Sequence, residues 1–374
     1  MTGLSLTRLA ALSRKEWIQL RRDPRSMALA FALPLLMLLL FGYAISWDVR
    51  DLDLAVLDQD RTAASRSLVE AFEASGYFTV VDRLASYRDA DAAVGAGDAG
   101  SVLVIPPGFA ADLAAGRGAA VQLLLDGADA NSATIAYGFA DAIVDGHSRR
   151  VVLQGRTVEP PIDARIRTLY NPTLESRNMI VPGLIGVIMM TIAAMLTALT
   201  IAREWERGTM EQLASTPATR VEIVVGKLVP YVIIGIVDVA VTALAGVLVF
   251  GVPFRGSVVV FFGQTVLFLV GALGLGVFIS AAARTQLVAT QVAIIATLLP
   301  AMLLSGFLFE IRSMPTVLKG ITYLVPARYF ITATRGVMLK GVGPETLWPQ
   351  ALFMVTFAAA GLLAATRVFR KEIA

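Results

Sequence analysis

Cysteine is absent and histidine occurs once, at His147. The first absence excludes disulfides, thiolate metal sites and a cysteine nucleophile; the second excludes a multi-histidine metal centre. No G-x-x-x-x-G-K-[ST] loop occurs, so the chain lacks a recognisable cradle for nucleotide phosphates. G-x-S-x-G and H-E-x-x-H are missing as well. His147 falls near the end of a predicted helix, a surface or capping position. No catalytic residue and no metal ligand set is predicted. Charge is scarce too. Charged residues make up 16% and hydrophobic ones 56%, against about 25% charged in soluble chains. The apolar residues gather in long runs, as in membrane spans.

The charge that is present is unevenly placed. Residues 48–177 hold 19 acidic and 12 basic side chains, whereas the remainder holds 10 acidic and 20 basic. An acidic middle with basic ends and loops points to two compartments and not to a nucleic-acid surface. Residues 1–26 are basic, and Leu6, Leu9, Ala10, Trp17 and Leu20 fall near one helical face. This predicts an amphipathic helix at a membrane interface, ended at Asp23-Pro24. Residues 27–46 carry no charge and are long enough for one crossing. That run exceeds a signal-peptide core of about 7–15 residues, so an uncleaved anchor with a cytoplasmic N-terminus is expected.

Residues 47–178 read as a small extracytoplasmic α/β domain. Strands are expected at 53–57, 78–81, 101–105 and 119–125, with helices at 62–74, 85–94, 108–115 and 130–152. GAGDAG at 95–100 matches G-x-G-x-x-G, but a helix precedes it and a strand follows. A dinucleotide site needs the opposite order, so this is a glycine-rich turn.

From Met179 onward five spans are expected, at 180–201, 224–250, 258–282, 287–307 and 350–367. With the first run they make six, both termini facing the same side. Arg284, Arg367, Arg370 and Lys371 join the N-terminal cluster and the 203–227 charges on the inside. Segment 308–349 is semi-polar and broken by Pro315 and Pro326, with helix-length pieces at 317–324 and 329–338. It reads as short outer helices re-entering the membrane under protein cover. The expected fold is an α-helical polytopic membrane protein with six transmembrane helices, re-entrant outer helices and an inserted α/β domain after the first span.

Between the second and third spans lies REWERGTMEQLASTP, residues 203–217. Its carboxylates Glu204, Glu206 and Glu211 are acid/base candidates by type. Arg203/Glu206, Glu204/Arg207 and Arg207/Glu211 stand at i+3 or i+4, so mutual neutralisation on a short helix is the stronger expectation. Trp205, Met210 and Leu213 give that helix an apolar side and Pro217 stops it. Such a helix suits docking of a partner. Asp238 within the third span must face protein or a polar path. Gln264 and Gln291 are weaker cases of pathway or interhelix polar groups. Gly271, Gly274 and Gly276 predict close helix packing.

Several stretches together carry a family likeness. They are KEWIQLRRDPR (15–25), FGYAISWDVRDLDLAVLDQDRTAASRSLVEAFEASGYF (41–78), YNPTLESRNMIVPG (170–183), EWERGTMEQLASTP (204–217), GVPFRGS (251–257), LSGFLFEIRSMP (304–315) and ARYFITATRGVMLKG (327–341). The chain resembles the membrane permease subunits of ABC type-2 transporters, in particular the bacterial multidrug-efflux-like branch. Relatives often carry Pro where Glu310 stands and Asn where Val325 stands.

The resemblance implies an inner-membrane exporter subunit, paired with a second copy or a close relative. It implies separate cytoplasmic ABC ATPase subunits that bind ATP and Mg, with no cofactor on this chain. By position, Arg203, Glu204, Glu206, Arg207, Gly208, Thr209, Met210, Glu211, Leu213 and Pro217 resemble the ATPase-coupling helix. Lys15, Glu16, Trp17, Arg21, Arg22, Asp23 and Pro24 resemble the elbow helix beside it, against membrane lipid. The pathway is expected between paired second and fifth spans. A periplasmic adaptor of the membrane-fusion type and an outer-membrane channel are further implied partners, and the cargo implied is amphipathic, drug-like or lipid-like. Two alternatives stay open: an ion-gradient-driven transporter centred on Asp238, and a membrane sensor or anchor with a ligand-binding outer domain.

Overall fold

The computed structural model describes residues 5–45, 51–128, 130–152, 169–172, 175–283 and 285–368. Arg284, Arg370 and Lys371 lie outside that set, as do the side chains of Glu211 and Leu213. The chain divides into two compact units, Trp47–Arg167 and the remainder. It opens with α1 (Leu6–Arg21) and α2 (Pro24–Ala44). Then follow β1 (Leu52–Asp58), α3 (Ala63–Glu73), β2 (Phe78–Arg83), α4 (Tyr87–Ala96), β3 (Ser101–Ile105), α5 (Phe109–Ala114), β4 (Gln122–Leu125) and α6 (Ala130–Val152). The chain continues with α7 (Ser176–Glu206), α8 (Met210–Ser215), α9 (Arg220–Leu248), α10 (Val258–Ala283) and α11 (Gln286–Leu304). It closes with α12 (Thr316–Thr322), α13 (Pro326–Arg335) and α14 (Pro344–Val368).

The unit Trp47–Arg167 is a four-stranded sheet in the order β2-β1-β3-β4. β1 runs parallel to β2 and β3, and β4 closes the edge antiparallel. Alternation along the strands builds two cores. Leu54, Val56, Leu103 and Ile105 face α3, α5 and α6, while Ala55, Leu57, Val102 and Val104 meet α4 around Ala90. All five residues of β3 are buried, as a central strand covered on both faces requires. GAGDAG closes α4 and leads into β3, with Gly97 in the left-handed conformation at φ 78°.

At the carboxyl ends of β1 and β3 an aspartate joins two loops. Asp60 accepts hydrogen bonds from the Thr62 hydroxyl (2.7 Å) and from the amides of Gly108 (2.9 Å) and Ala110 (3.1 Å). The Thr62 hydroxyl and these amides hold its carboxyl below the ordinary range. Asp58 accepts from the Ser65 hydroxyl (2.7 Å) and from the amides of Asp60 and Arg61.

In the larger unit, α7, α9, α10, α11 and α14 are long and apolar enough to cross a membrane, and α2 carries a shorter apolar stretch, Ala30–Ala44. The unit is thus a polytopic helical membrane structure. α7 is its centre: 94% of its most apolar 18 residues are buried, under α2, α9, α10, α11 and α13. Within this chain α7 therefore presents little of that stretch to its surroundings. α11 is far more open, with Leu287, Ile295 and Leu299 exposed. α10 and α14 cross where small residues meet. A Cβ on Gly274 would stand 3.0 Å from the backbone of Gly361, so a side chain there would force the helices apart.

Segment 308–349 differs in detail from its reading. It holds a 3-10 turn at Ile311–Ser313, α12, α13 and a π turn at Gly336–Lys340. The last helix then starts at Pro344, not at 350. Gly341, at φ 68°, turns the chain, and a proline fits the first helical position, where no amide partner is needed.

Candidate functional site at the strapped loop

The segment 203–217 is not one helix. α7 continues through Glu206, and Gly208 at φ 67° reverses the chain. The amide of Thr209 returns to the carbonyl of Glu204 (3.1 Å), closing the helix end. α8 then makes little more than one turn, with Met210 buried. Thr219 begins α9 through a reciprocal cap: Thr219 N–H donates to Glu222 Oε2 (2.7 Å), and Glu222 N–H to Thr219 Oγ1 (3.3 Å).

Two of the three expected charge pairs within the segment are a correction as well, while the third, Arg207 with Glu211, falls on a side chain outside the described residues. Among the described residues, no ion pair joins Arg203 to Glu206 or Glu204 to Arg207. The partners come from other elements. Arg203 pairs with Asp23 in the α1–α2 turn (3.0 Å). Glu204 takes Lys15 from α1 (3.2 Å) and Lys227 from α9 (3.3 Å), and accepts from the Thr209 hydroxyl. Glu206 accepts from the Gln286 amide (2.7 Å) and from its side chain, so it caps α11. Surface pairs of short range are worth only tenths of a kcal/mol. Lys227 is buried beside Glu204 and Gln286 offers Glu206 its backbone amide, which outweighs such pairs.

α1 explains why the partners converge. Residues 5, 8, 9, 12, 13 and 16 fall on one stripe at helical spacing. Ser5 N–H donates to Glu222 Oε1 (2.7 Å) and Arg8 pairs with the same carboxylate (3.0 Å). Leu12 meets Gly226, where a Cβ would stand 2.8 Å from the Leu12 Cβ. The Ser13 hydroxyl donates to the Gly226 carbonyl (3.0 Å). Glu16 then receives Lys227 (3.1 Å), with both side chains buried. The helix reaches both ends of the segment, since Arg8 also donates to the Pro217 carbonyl (2.9 Å) while Lys15 holds Glu204. α1 is a strap across the start of α9 and both ends of 203–217.

The remaining residues take separate places. Arg22 is exposed at the end of α1, and Pro24 opens α2 after the break at Asp23. Trp17, with Arg21, lines an apolar cleft against α2 and α9. On the membrane side, Ser280 Oγ of α10 accepts the amides of Ile201 (3.0 Å) and Ala202 (2.9 Å), pinning α7 just before Arg203.

Sequence reasoning missed Ser5, Arg8, Glu222, Gly226, Lys227, Ser280 and Gln286. The T-x-x-E cap at 219–222 and a lone lysine at the head of an apolar run were the available signals. Asp238 is buried in α9 beside Thr242, Gln264 is buried in α10, and Gln291 is exposed on α11. Among the described residues no hydrogen bond joins any two of these three.

Among the described residues, five helices apolar enough to cross a membrane and a charged node at their ends define a polytopic membrane protein. The chain belongs to the ABC-2 family of transporter proteins, whose model matches residues 25–367. It is 39% identical to the probable multidrug ABC transporter permease YbhS of Escherichia coli over 95% of this chain and 94% of that one. To YbhR of the same organism, also a probable multidrug ABC transporter permease, it is 30% identical over 98% and 99%. To the Escherichia coli inner membrane transport permease YhhJ it is 29% identical over 86% and 85%. The chain is accordingly a membrane permease of the ABC class, and membership implies ATPase partner subunits.

Proposed function

We propose that this chain is the non-catalytic membrane subunit of an ATP-driven exporter in the bacterial inner membrane, with segment 203–217 as its coupling loop. The observation that carries the reading is the strap. α1 grips Glu204 and Pro217 at the two ends of the segment, and Glu204, Lys227 and Glu16 join α7, α9 and α1 through buried charges. A push on the six-residue α8 would therefore reach three helices at once, and a fourth, α11, through the Glu206 that caps it. ATP and Mg belong to the separate ATPase subunits.

In this reading α2 makes a sixth crossing, both termini are cytoplasmic and the α/β unit is extracytoplasmic. That unit offers a docking surface for an adaptor protein leading to an outer-membrane channel. Two permeases, identical or closely related, enclose the pathway, and the cargo is an amphipathic drug-like or lipid-like compound. Support for the cargo comes from the multidrug designation of YbhS and YbhR and from the apolar spans.

Tagged protein purified from its native membrane should retain a P-loop ATPase, and Arg207→Glu should abolish both that retention and transport while the protein remains folded. Absence of any ATPase, with transport by Arg207→Glu intact, would sink the coupling role. Transport by the purified chain in liposomes without an ATPase would point instead to a gradient-driven carrier using Asp238.

A further inference from the structure

A cleft of about 910 Å³ opens between α1, the α1–α2 turn, the end of α7 and the start of α11. Its charged lining is Lys15, Arg22, Asp23, Arg203 and Arg207. Asp23 neutralises Arg203 at 3.0 Å, and the buried Glu204 neutralises Lys15 at 3.2 Å. Among the described residues neither Arg22 nor Arg207 has a carboxylate partner. Two cations thus face a shared space. Ile18, Pro24 and Leu199 give the same cleft an apolar part. Leu199 lies on the last turns of an apolar crossing helix, and Gln286 on the rim is the first residue of another. The cleft therefore sits where hydrocarbon gives way to headgroups, and it offers charge and apolar surface side by side.

We infer that this cleft binds the headgroup of an anionic phospholipid, with its phosphate between Arg22 and Arg207 and its glycerol end against Ile18, Pro24 and Leu199. Arginine suits a phosphate because its planar fork donates in pairs. The basic pocket at a helix-bounded membrane face is the kind of site such headgroups fill. A free phosphate would use the arginines alone and leave the apolar part wet, which favours the lipid. The inference goes beyond the coupling role and does not need it, since lipid retention is read without any ATPase.

The test uses the full chain in detergent, with phosphatidylglycerol and phosphatidylcholine as probes and native mass spectrometry as the readout. The wild type should retain phosphatidylglycerol in preference to phosphatidylcholine. Each of Arg22→Gln and Arg207→Gln should weaken that binding about fivefold and the double variant about 25-fold. Arg22→Lys/Arg207→Lys, which keeps the charge, should stay within a few fold of wild type and so separates lost charge from lost fold. Equal retention of both lipids by the wild type, or unchanged phosphatidylglycerol binding by the double variant, overturns the site. Displacement of the lipid by inorganic phosphate at matched concentration overturns the lipid as occupant. Loss of a bound ATPase with lipid retention untouched would make the arginines a protein-docking face and overturn it too.

Discussion

Lys227→Met tests the buried node directly. The lysine side chain is 4% exposed, and its partners Glu16 and Glu204 are 5% and 6% exposed. Replacing it keeps much of the stem volume and removes the ammonium. Glu204 retains Lys15 and the Thr209 hydroxyl. Glu16 keeps no other ion-pair partner among the described residues. Glu16 would keep only the Tyr231 hydroxyl, so most of the cost falls on a carboxylate buried without a cation, and breaking a buried pair from one side costs about 3–5 kcal/mol. Glu16→Gln removes the other member but leaves Lys227 with Glu204, so a smaller loss of about 1–3 kcal/mol is expected. The double variant Glu16→Gln/Lys227→Met should be less damaged than the sum, with a coupling of about 1–3 kcal/mol. The assay is unfolding in a fixed detergent, followed by fluorescence and fitted for all four proteins of the cycle. A Lys227→Met midpoint equal to wild type, or strictly additive effects in the double variant, would refute the claim that these charges depend on one another.

Two further outcomes follow from the geometry. Gly226→Val should loosen α1 from α9, because even the Cβ alone would stand 2.8 Å from that of Leu12; proteolysis within residues 5–22 of the full chain should quicken, and unchanged cleavage would mean the strap is not seated there. Asp60→Asn should make cleavage within the α/β unit faster at neutral pH. The carboxyl of Asp60 is held below its ordinary value by the Thr62 hydroxyl and the 108–110 amides, so its contribution is present above the unfolded pKa of about 3.9 and is lost as pH falls through the folded value. The difference between wild type and variant should accordingly shrink to nothing in acid, and a difference that grows on acidification would contradict the assignment.

What could be read from the sequence depended on how far each signal reached along the chain. The α/β unit was legible because alternation in DLAVL and SVLVI and the helical spacing of 63–73 are local, and the structure places elements there. The apolar crossings were legible for the same reason. The charged loop was not. Arg203, Glu204 and Glu206 stand at helical spacing to oppositely charged neighbours, yet Lys15 lies 189 residues from Glu204, and Glu16 lies 211 from Lys227. Nothing in a window of fifteen residues reports such a partner. The enclosure of α7 was hidden similarly, because an all-round apolar helix reads alike whether lipid or protein surrounds it.

That enclosure also bears on how a coupled motion can proceed. α7 is packed on all sides, and close-packed interfaces shift between discrete arrangements and do not deform smoothly. If an ATPase displaces α8, α7 cannot slide alone past its neighbours. Ser280 binds its end to α10, Glu204 binds it to α9 through Lys227, and Glu206 binds it to α11. The movement would have to be a tilt of these helices as one body, taken up on faces that the chain leaves open. α11 supplies such a face, since Leu287, Ile295 and Leu299 stand outward along it. The charged node would then set which helices travel together, and the open face of α11 would be where their travel is felt.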